Sequence, residues 1–253
     1  MTFFVRSIKA QLILFLLGLA LFVCVLEKDI HFLIRLTLCL GVAVVVEAAV
    51  LFLKTKKARV TESAIIAGLI VGFVIAGTQP WWKLVAATSL AILSKYFLRL
   101  RNKHLFNPAA FGLLTAAVFF GASMQWNATY LWYFLVPFGF YFAHKIRRLE
   151  VIAGYAAISI VLFGIQALMQ GAALRNIFGY FSYFYIFIML IEPKTTPIPA
   201  RAKFVFGALA GGLVFILSEM NVALDIELAA LLAMNAAVPL VNRIFQQQPG
   251  GHV

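Results

Sequence analysis

Charge is scarce in this chain, and negative charge is scarcest: 12% of its 253 residues are charged, and only nine are Asp or Glu. A soluble domain carries about 25% charged residues, so an ordinary water-soluble fold is excluded. Cysteine is limited to Cys24 and Cys39, both inside apolar runs. Neither has a metal-ligand spacing, so an iron–sulfur centre is excluded and both read as packing residues. The chain has four His, one of them His252 near the C-terminus. That leaves no pair spaced for haem and no credible Ser-His-Asp set. A Gly-rich phosphate loop is absent as well.

What is there is apolar: 64% hydrophobic residues, with 25 Phe. The formal net charge of +12 would normally raise nucleic acid as a partner. Here the basic residues stand in short clusters between apolar runs, as membrane topology requires, and nucleic acid is set aside. The partner implied is the lipid bilayer, in the bacterial inner membrane. The start resembles a signal peptide, with Arg6 and Lys9 before an apolar stretch, but no small-x-small cleavage site follows, so a retained first helix is expected.

A membrane span needs about 20 apolar residues. Runs near that length fall at 10–26, 31–53, 62–78, 81–98, 108–123, 128–143, 149–169, 176–191, 202–218 and 222–242. The expected fold is therefore all-α and polytopic, with about ten transmembrane helices in one membrane domain, 1–245, and a disordered tail over 246–253. Several runs are short and Pro-flanked, which points to broken or half-length helices covered by protein. Every second loop is basic: "KTKKAR" (54–59), "KYFLRLRNKH" (95–104), "HKIRR" (144–148) and "EPKTTPIPARAK" (192–203). The alternate loops hold only Lys28, Lys83 and Arg175. Both termini are thus expected on the cytoplasmic side.

Stretches 61–114 and 179–241 share an order of features. Each opens with a Ser in an apolar segment (Ser63, Ser182), passes a Pro-containing turn and ends in an Asn-Ala-Ala-like unit, "NPAA" at 107–110 and "NAAVP" at 235–239. With one stretch running outward and the other inward, this predicts an inverted five-plus-five repeat, halves about 1–123 and 124–245, with a midplane site between them. It also predicts that Asn107 and Asn235 both sit at helix ends.

Candidate residues follow from polarity inside apolar sequence. Pro108 suits the first position of a helix, which makes Asn107 its N-cap. Glu47, deep in the second span, either belongs to a transport path or snorkels toward the inner surface near Lys54. Glu62 and Ser63 open the third span, as helix-start residues or as part of the path. Glu192 lies in the Thr- and Pro-rich turn "EPKTTP". Arg35 is interfacial or partners an acidic group. The aromatic run "FGYFSYFYIF" (178–187) reads as packing and interfacial anchoring, or as a surface for a flat ring. The small residues of "FGALAGGLVF" (206–215) favour close helix contact.

Four ordered motifs, "ESAIIAGLIVGFVIAGTQPWW", "KHLFNPAAFG", "EPKTTPIPARAKFVFGALAGGLVFIL" and "NAAVPLVNR", resemble the NqrB/RnfD family of membrane subunits from ion-pumping electron-transport complexes. The family's Ser-Ala-x-x-x-Gly opening corresponds to Ser63, Ala64 and Gly68. Its Phe-Asn-Pro-Ala motif corresponds to Phe106, Asn107, Pro108 and Ala109. Its Asp-Pro-x-Thr loop becomes Glu192, Pro193 and Thr195, and Phe206, Gly207 and Ala208 match the helix that follows. The resemblance implies ten spans, inverted repeats, other subunits as partners, flavin as cofactor, and redox coupled to ion movement. It departs at the family's covalent FMN: the long insertion is missing, and Thr129 in "NAT" is only a distant substitute for the anchoring Thr. Covalent FMN is therefore not expected, while non-covalent FMN or riboflavin stays open, with Ser182, Tyr183 and Thr195 as candidate contacts. The expected path residues are Glu47, Glu62, Ser63, Asn107, Pro108, Glu192 and Asn235. The alternative reading is a small-solute or flavin channel or transporter of the same fold with no redox centre.

Overall fold

The computed structural model describes residues 7–100 and 103–246. The tail expected over 246–253 lies, from 247 onward, outside the described residues, as does Arg6. Nine α-helices stand among the described residues: α1 (Ile8–Glu27), α2 (Ile30–Thr55), α3 (Glu62–Val74), α4 (Trp81–Phe97), α5 (Pro108–Phe120), α6 (Trp132–Lys145), α7 (Leu149–Met169), α8 (Ala200–Glu219) and α9 (Ile226–Gln246). Two short antiparallel strands, β1 (Arg99–Leu100) and β2 (Lys103–His104), precede α5. Five helices, α1, α2, α7, α8 and α9, are long and apolar enough to cross a membrane. The protein is a polytopic all-α membrane protein, built as two compact units, Met1–Leu131 and Trp132–Val253.

In the first unit the short helices are the informative ones. α3 and α5 have 13 residues each, about 20 Å of rise against a hydrocarbon core of about 30 Å. A helix that stops inside the bilayer must have its last carbonyls satisfied from the protein. For α3, the carbonyl of Phe73 accepts from the Asn127 backbone N–H at 2.9 Å and from its side-chain amide at 3.0 Å, and Val74 accepts from Gln125 at 2.8 Å. The chain after α3 continues extended, where Ala76 donates to Ser123 at 3.0 Å and Ile75 bridges Met124. Lys83 at the start of α4 closes the same structure by donating to the Gly121 carbonyl, the C-terminal cap of α5, at 2.9 Å. The segment after α5 thus serves the ends of both short helices. Arg35 pairs with Asp29 at 3.0 Å, the acidic partner expected as one of its two roles.

In the second unit α7 and α8 pack along glycines. A Cβ at Gly154 would fall 2.0 Å from the Phe204 carbonyl oxygen, and one at Gly207 would fall 2.0 Å from that of Val151. The backbones touch, as the small residues of 206–215 predict.

Two expectations need correction. The span at 176–191 is not an α-helix: a 3-10 helix, Leu174–Tyr180, is followed by a π-helical turn, Tyr185–Met189. Every residue from 184 to 191 is buried. A segment enclosed by protein on all sides needs no lipid-facing cylinder, and hydropathy alone does not separate it from a straight helix. Asn235 is also not at a helix end. It lies inside α9, four residues before Pro239, so only Asn107 of the expected pair is a cap.

Candidate functional site

Glu47 is fully buried, not snorkelling. Its carboxylate takes the Lys95 ammonium of α4 at 2.9 Å and the Thr61 hydroxyl, at the N-cap position of α3, at 2.6 Å. Lys95 also reaches Thr61 at 3.4 Å, and Thr61 shares a hydrogen bond with Ser63 at 3.0 Å. Tyr96 covers the cluster, with the Lys54 ammonium 4.8 Å from its ring centre. Glu62 turns aside and accepts from Ser7 at 3.2 Å. The structure therefore gathers Glu47 and Ser63 through Thr61, with Glu62 alongside. Lys95 and Thr61 escaped the sequence reading because their partner is distant: Lys95 and Glu47 stand 48 positions apart. A pair this buried exchanges a large desolvation cost for its attraction and depends on added hydrogen bonds to hold.

Asn107 caps α5 as expected. Its side-chain oxygen accepts from Ala110 N–H at 3.1 Å, and Pro108 opens the helix. The amide is buried, so the cap satisfies an N–H that lipid could not.

The "EPKTTP" turn of the second unit folds inward. Thr195 and Thr196 are 1% and 3% exposed, while Pro193 and Lys194 stay exposed, so the second half of the turn is the part that enters the interior. Thr196 donates to the Glu192 carbonyl at 3.0 Å, and Thr195 lies 3.3 Å from the Glu192 carboxylate. Arg148, before α7, donates to the Thr196 hydroxyl at 2.6 Å and to the Pro193 carbonyl at 3.1 Å. From α9 the Asn235 amide donates to the Thr195 carbonyl at 3.2 Å. Glu192 and Asn235, named separately from the sequence, thus meet on one turn. Arg148 was missed there, because "HKIRR" reads as a topological charge cluster and nothing in it marks one Arg as inward.

The three candidate flavin contacts do not converge. Thr195 is tied to Asn235, whereas Ser182 faces Glu227 in the first turn of α9. Eight helical residues separate those two points, about 12 Å along the axis. The Tyr183 hydroxyl donates to the Phe178 carbonyl at 3.1 Å. The aromatic run is packed on itself and its neighbours: Phe163 stacks on Tyr180 at 4.9 Å, and Tyr155 lies 5.8 Å from Tyr185 and 6.3 Å from Phe181. Phe178 and Tyr180 are its exposed rings. The Thr129 hydroxyl is enclosed.

The sequence model of the NQR2, RnfD, RnfE family matches residues 5–134 and 131–251. Among curated proteins, the chain is similar to one from Tolumonas auensis (strain DSM 9187 / NBRC 110442 / TA 4) that is named as a subunit of an ion-translocating oxidoreductase complex, 36% identical over 66 residues. That match covers 26% of this chain and 19% of the relative. The family match takes in nearly all of both units, and with it the Asn107 cap and the Glu192 turn: the chain belongs to the NQR2, RnfD, RnfE family.

Proposed function

We propose that the chain is an integral membrane subunit of an ion-translocating electron-transport complex. The observation that carries this reading is the family match across both units, and the name of the Tolumonas auensis relative supports it. Each unit supplies a polar cluster that is in part buried, of the kind ion movement through a membrane needs. In the first unit it is Glu47, Lys95, Thr61 and Ser63, with Glu62 and the Asn107–Pro108 helix start. In the second it is Glu192, Thr195 and Asn235. The two units are read as inverted repeats, and other subunits of the complex are the partners. A non-covalent flavin, FMN or riboflavin, belongs to the proposal as an electron carrier, held at the exposed rings of Phe178 and Tyr180 beside Tyr183.

The test is purification of the tagged chain from its native membranes, with electron-donor-driven sodium or proton uptake measured in inverted vesicles. Co-purification with flavin- and iron–sulfur-bearing proteins is expected, together with loss of uptake in a deletion strain. A chain that comes out alone, leaves uptake unchanged when deleted, and moves small solutes in liposomes without any electron donor overturns the reading in favour of a carrier.

A further inference from the structure

After α7 the chain turns back along the helix it has just left. The 3-10 helix Leu174–Tyr180 lies beside the last turns of α7, with the Tyr180 ring stacked on Phe163 at 4.9 Å. Between the two elements runs a groove of about 490 Å³. That is the size of a small-molecule site, not of a packing gap. Val161, Ile165 and Leu168 form its α7 wall, and Leu174 and Phe178 form the other. All five are exposed, so the groove opens away from the unit, toward lipid. Gly164 lies on its floor, where an added Cβ would meet only the Ile177 Cδ1, at 3.4 Å. The missing side chain at that position is part of what keeps the groove open.

One charged group borders this apolar groove, Arg175. Its depth can be read from the two helices. Tyr180 is level with Phe163. From Tyr180 back to Arg175 a 3-10 helix rises about 10 Å, and from Phe163 to Met169 an α-helix rises about 9 Å. Arg175 therefore stands level with the end of α7, where a span meets the headgroups, and loop charge makes that the outer face. Among the described residues its exposed side chain makes no ion pair and no hydrogen bond. Elsewhere such cations are used by the chain itself: Arg35 pairs with Asp29, and Lys83 donates to Gln79 and to the Gly121 carbonyl. A bilayer wets every outward apolar face, so apolar exposure alone marks nothing. A concave apolar slot with a single guanidinium at headgroup level is more selective. It suits a ligand with one hydrocarbon tail and one phosphate, which a guanidinium can hold through two parallel hydrogen bonds.

We propose that the groove between α7 and the 3-10 helix Leu174–Tyr180 binds one anionic phospholipid of the outer leaflet, an acyl chain along Gly164 and the phosphate on Arg175. An anionic lipid is favoured over a zwitterionic one because Arg175 has no acid of its own, and a head group carrying an ammonium offsets part of the phosphate charge. Phe178 is shared with the rings offered to flavin above, so the test leaves it unaltered. The proposal does not rest on the electron-transport reading. It is tested on the purified chain alone, so the failure of either leaves the other standing.

The experiment uses the full chain, delipidated in a mild detergent. Phosphatidylglycerol is titrated in, with phosphatidylethanolamine of the same acyl chains as competitor, and bound lipid is counted by native mass spectrometry. The wild type should hold phosphatidylglycerol in preference. Arg175→Gln, an exposed change, should raise the half-saturating phosphatidylglycerol about tenfold, the scale of one lost charge-assisted contact. Lys28→Gln, an exposed cation away from the groove, should leave it unaltered. Gly164→Leu keeps the charge and fills the floor, and should weaken binding as much as Arg175→Gln does. If it does not fold, Leu168→Gln on the exposed wall takes its place, with the same direction expected. Inorganic phosphate should not displace the lipid. Equal binding of the two lipids, an unaltered titration in Arg175→Gln or in the groove variant, or displacement by inorganic phosphate would each overturn the site; the last would identify a site for a free anion instead.

Discussion

Lys95 and Glu47 act as one residue split between two helices. Removing either charge leaves the other buried and uncompensated, at a cost of about 3–5 kcal/mol. Lys95→Met and Glu47→Gln should each lower the unfolding midpoint markedly in detergent. The double variant should recover most of the loss, because it removes both desolvation costs together. An additive double variant would show that the two side chains do not act as a pair. Asp29 gives a pH-dependent counterpart outside the span. Burial pushes its carboxyl up, but the hydrogen bond and charge of Arg35, with the N–H groups of His31 and Phe32, outweigh this and hold it below the ordinary carboxylate value. A lowered folded-state pKa contributes stability that is complete above the unfolded value and is lost as pH falls through the folded one. Unfolding midpoints measured from neutral pH down through the carboxylate range should therefore fall less steeply in Asp29→Asn than in the wild type. The Asn keeps the helix cap and gives up the titration.

At the scale of elements, the α7–α8 contact is the sharpest case. Gly154 and Gly207 each sit where an added Cβ would meet a backbone carbonyl oxygen at 2.0 Å. Backbone does not yield as a side-chain tip does, so Gly207→Val should cost at least the roughly 1–3 kcal/mol typical of overpacking. Gly179, where an added Cβ would meet nothing within 4 Å, should accept Ala with little change. Detergent-resistant yield and midpoint of the two variants check the difference. These contacts were legible because small residues at helical spacing have a single mechanical use in a membrane. The π-helical turn at Tyr185–Met189 was not legible, since all-round burial and a transmembrane cylinder give the same run of apolar letters. Nor was the inward fold of "EPKTTP". Its stability comes from Arg148 and Asn235, whose bonds to it span 48 and 40 positions of sequence.

For the whole molecule, apolar run length and loop charge carry most of what the sequence discloses. Nine of the ten runs became α-helices, several of them shorter than the apolar run that announced them. The apolar run of α3 extends over 62–78, but the helix stops at Val74, because Asn127 and Gln125 take over its carbonyls from a segment that local hydropathy does not connect to it. Topology follows from charge alone and is open to direct measurement. In a chain with Cys24 and Cys39 replaced, Lys56→Cys should react with a membrane-impermeant maleimide only after the cells are opened, and Asn221→Cys should react in intact cells. The reverse pattern, or equal reactivity, would overturn the assignment of the basic loops to the cytoplasm.

Pro239 gives α9 a property of its own. Proline has no N–H, so the rung that would normally join position 239 to the Asn235 carbonyl does not exist. One fully buried residue therefore carries two demands: an amide pledged to Thr195, and a main-chain oxygen that the regular helical ladder leaves to other donors. Replacing the proline with alanine would restore the rung and stiffen the rod. It would also take from position 235 the local freedom that lets one helix hold a turn of the chain some forty residues upstream.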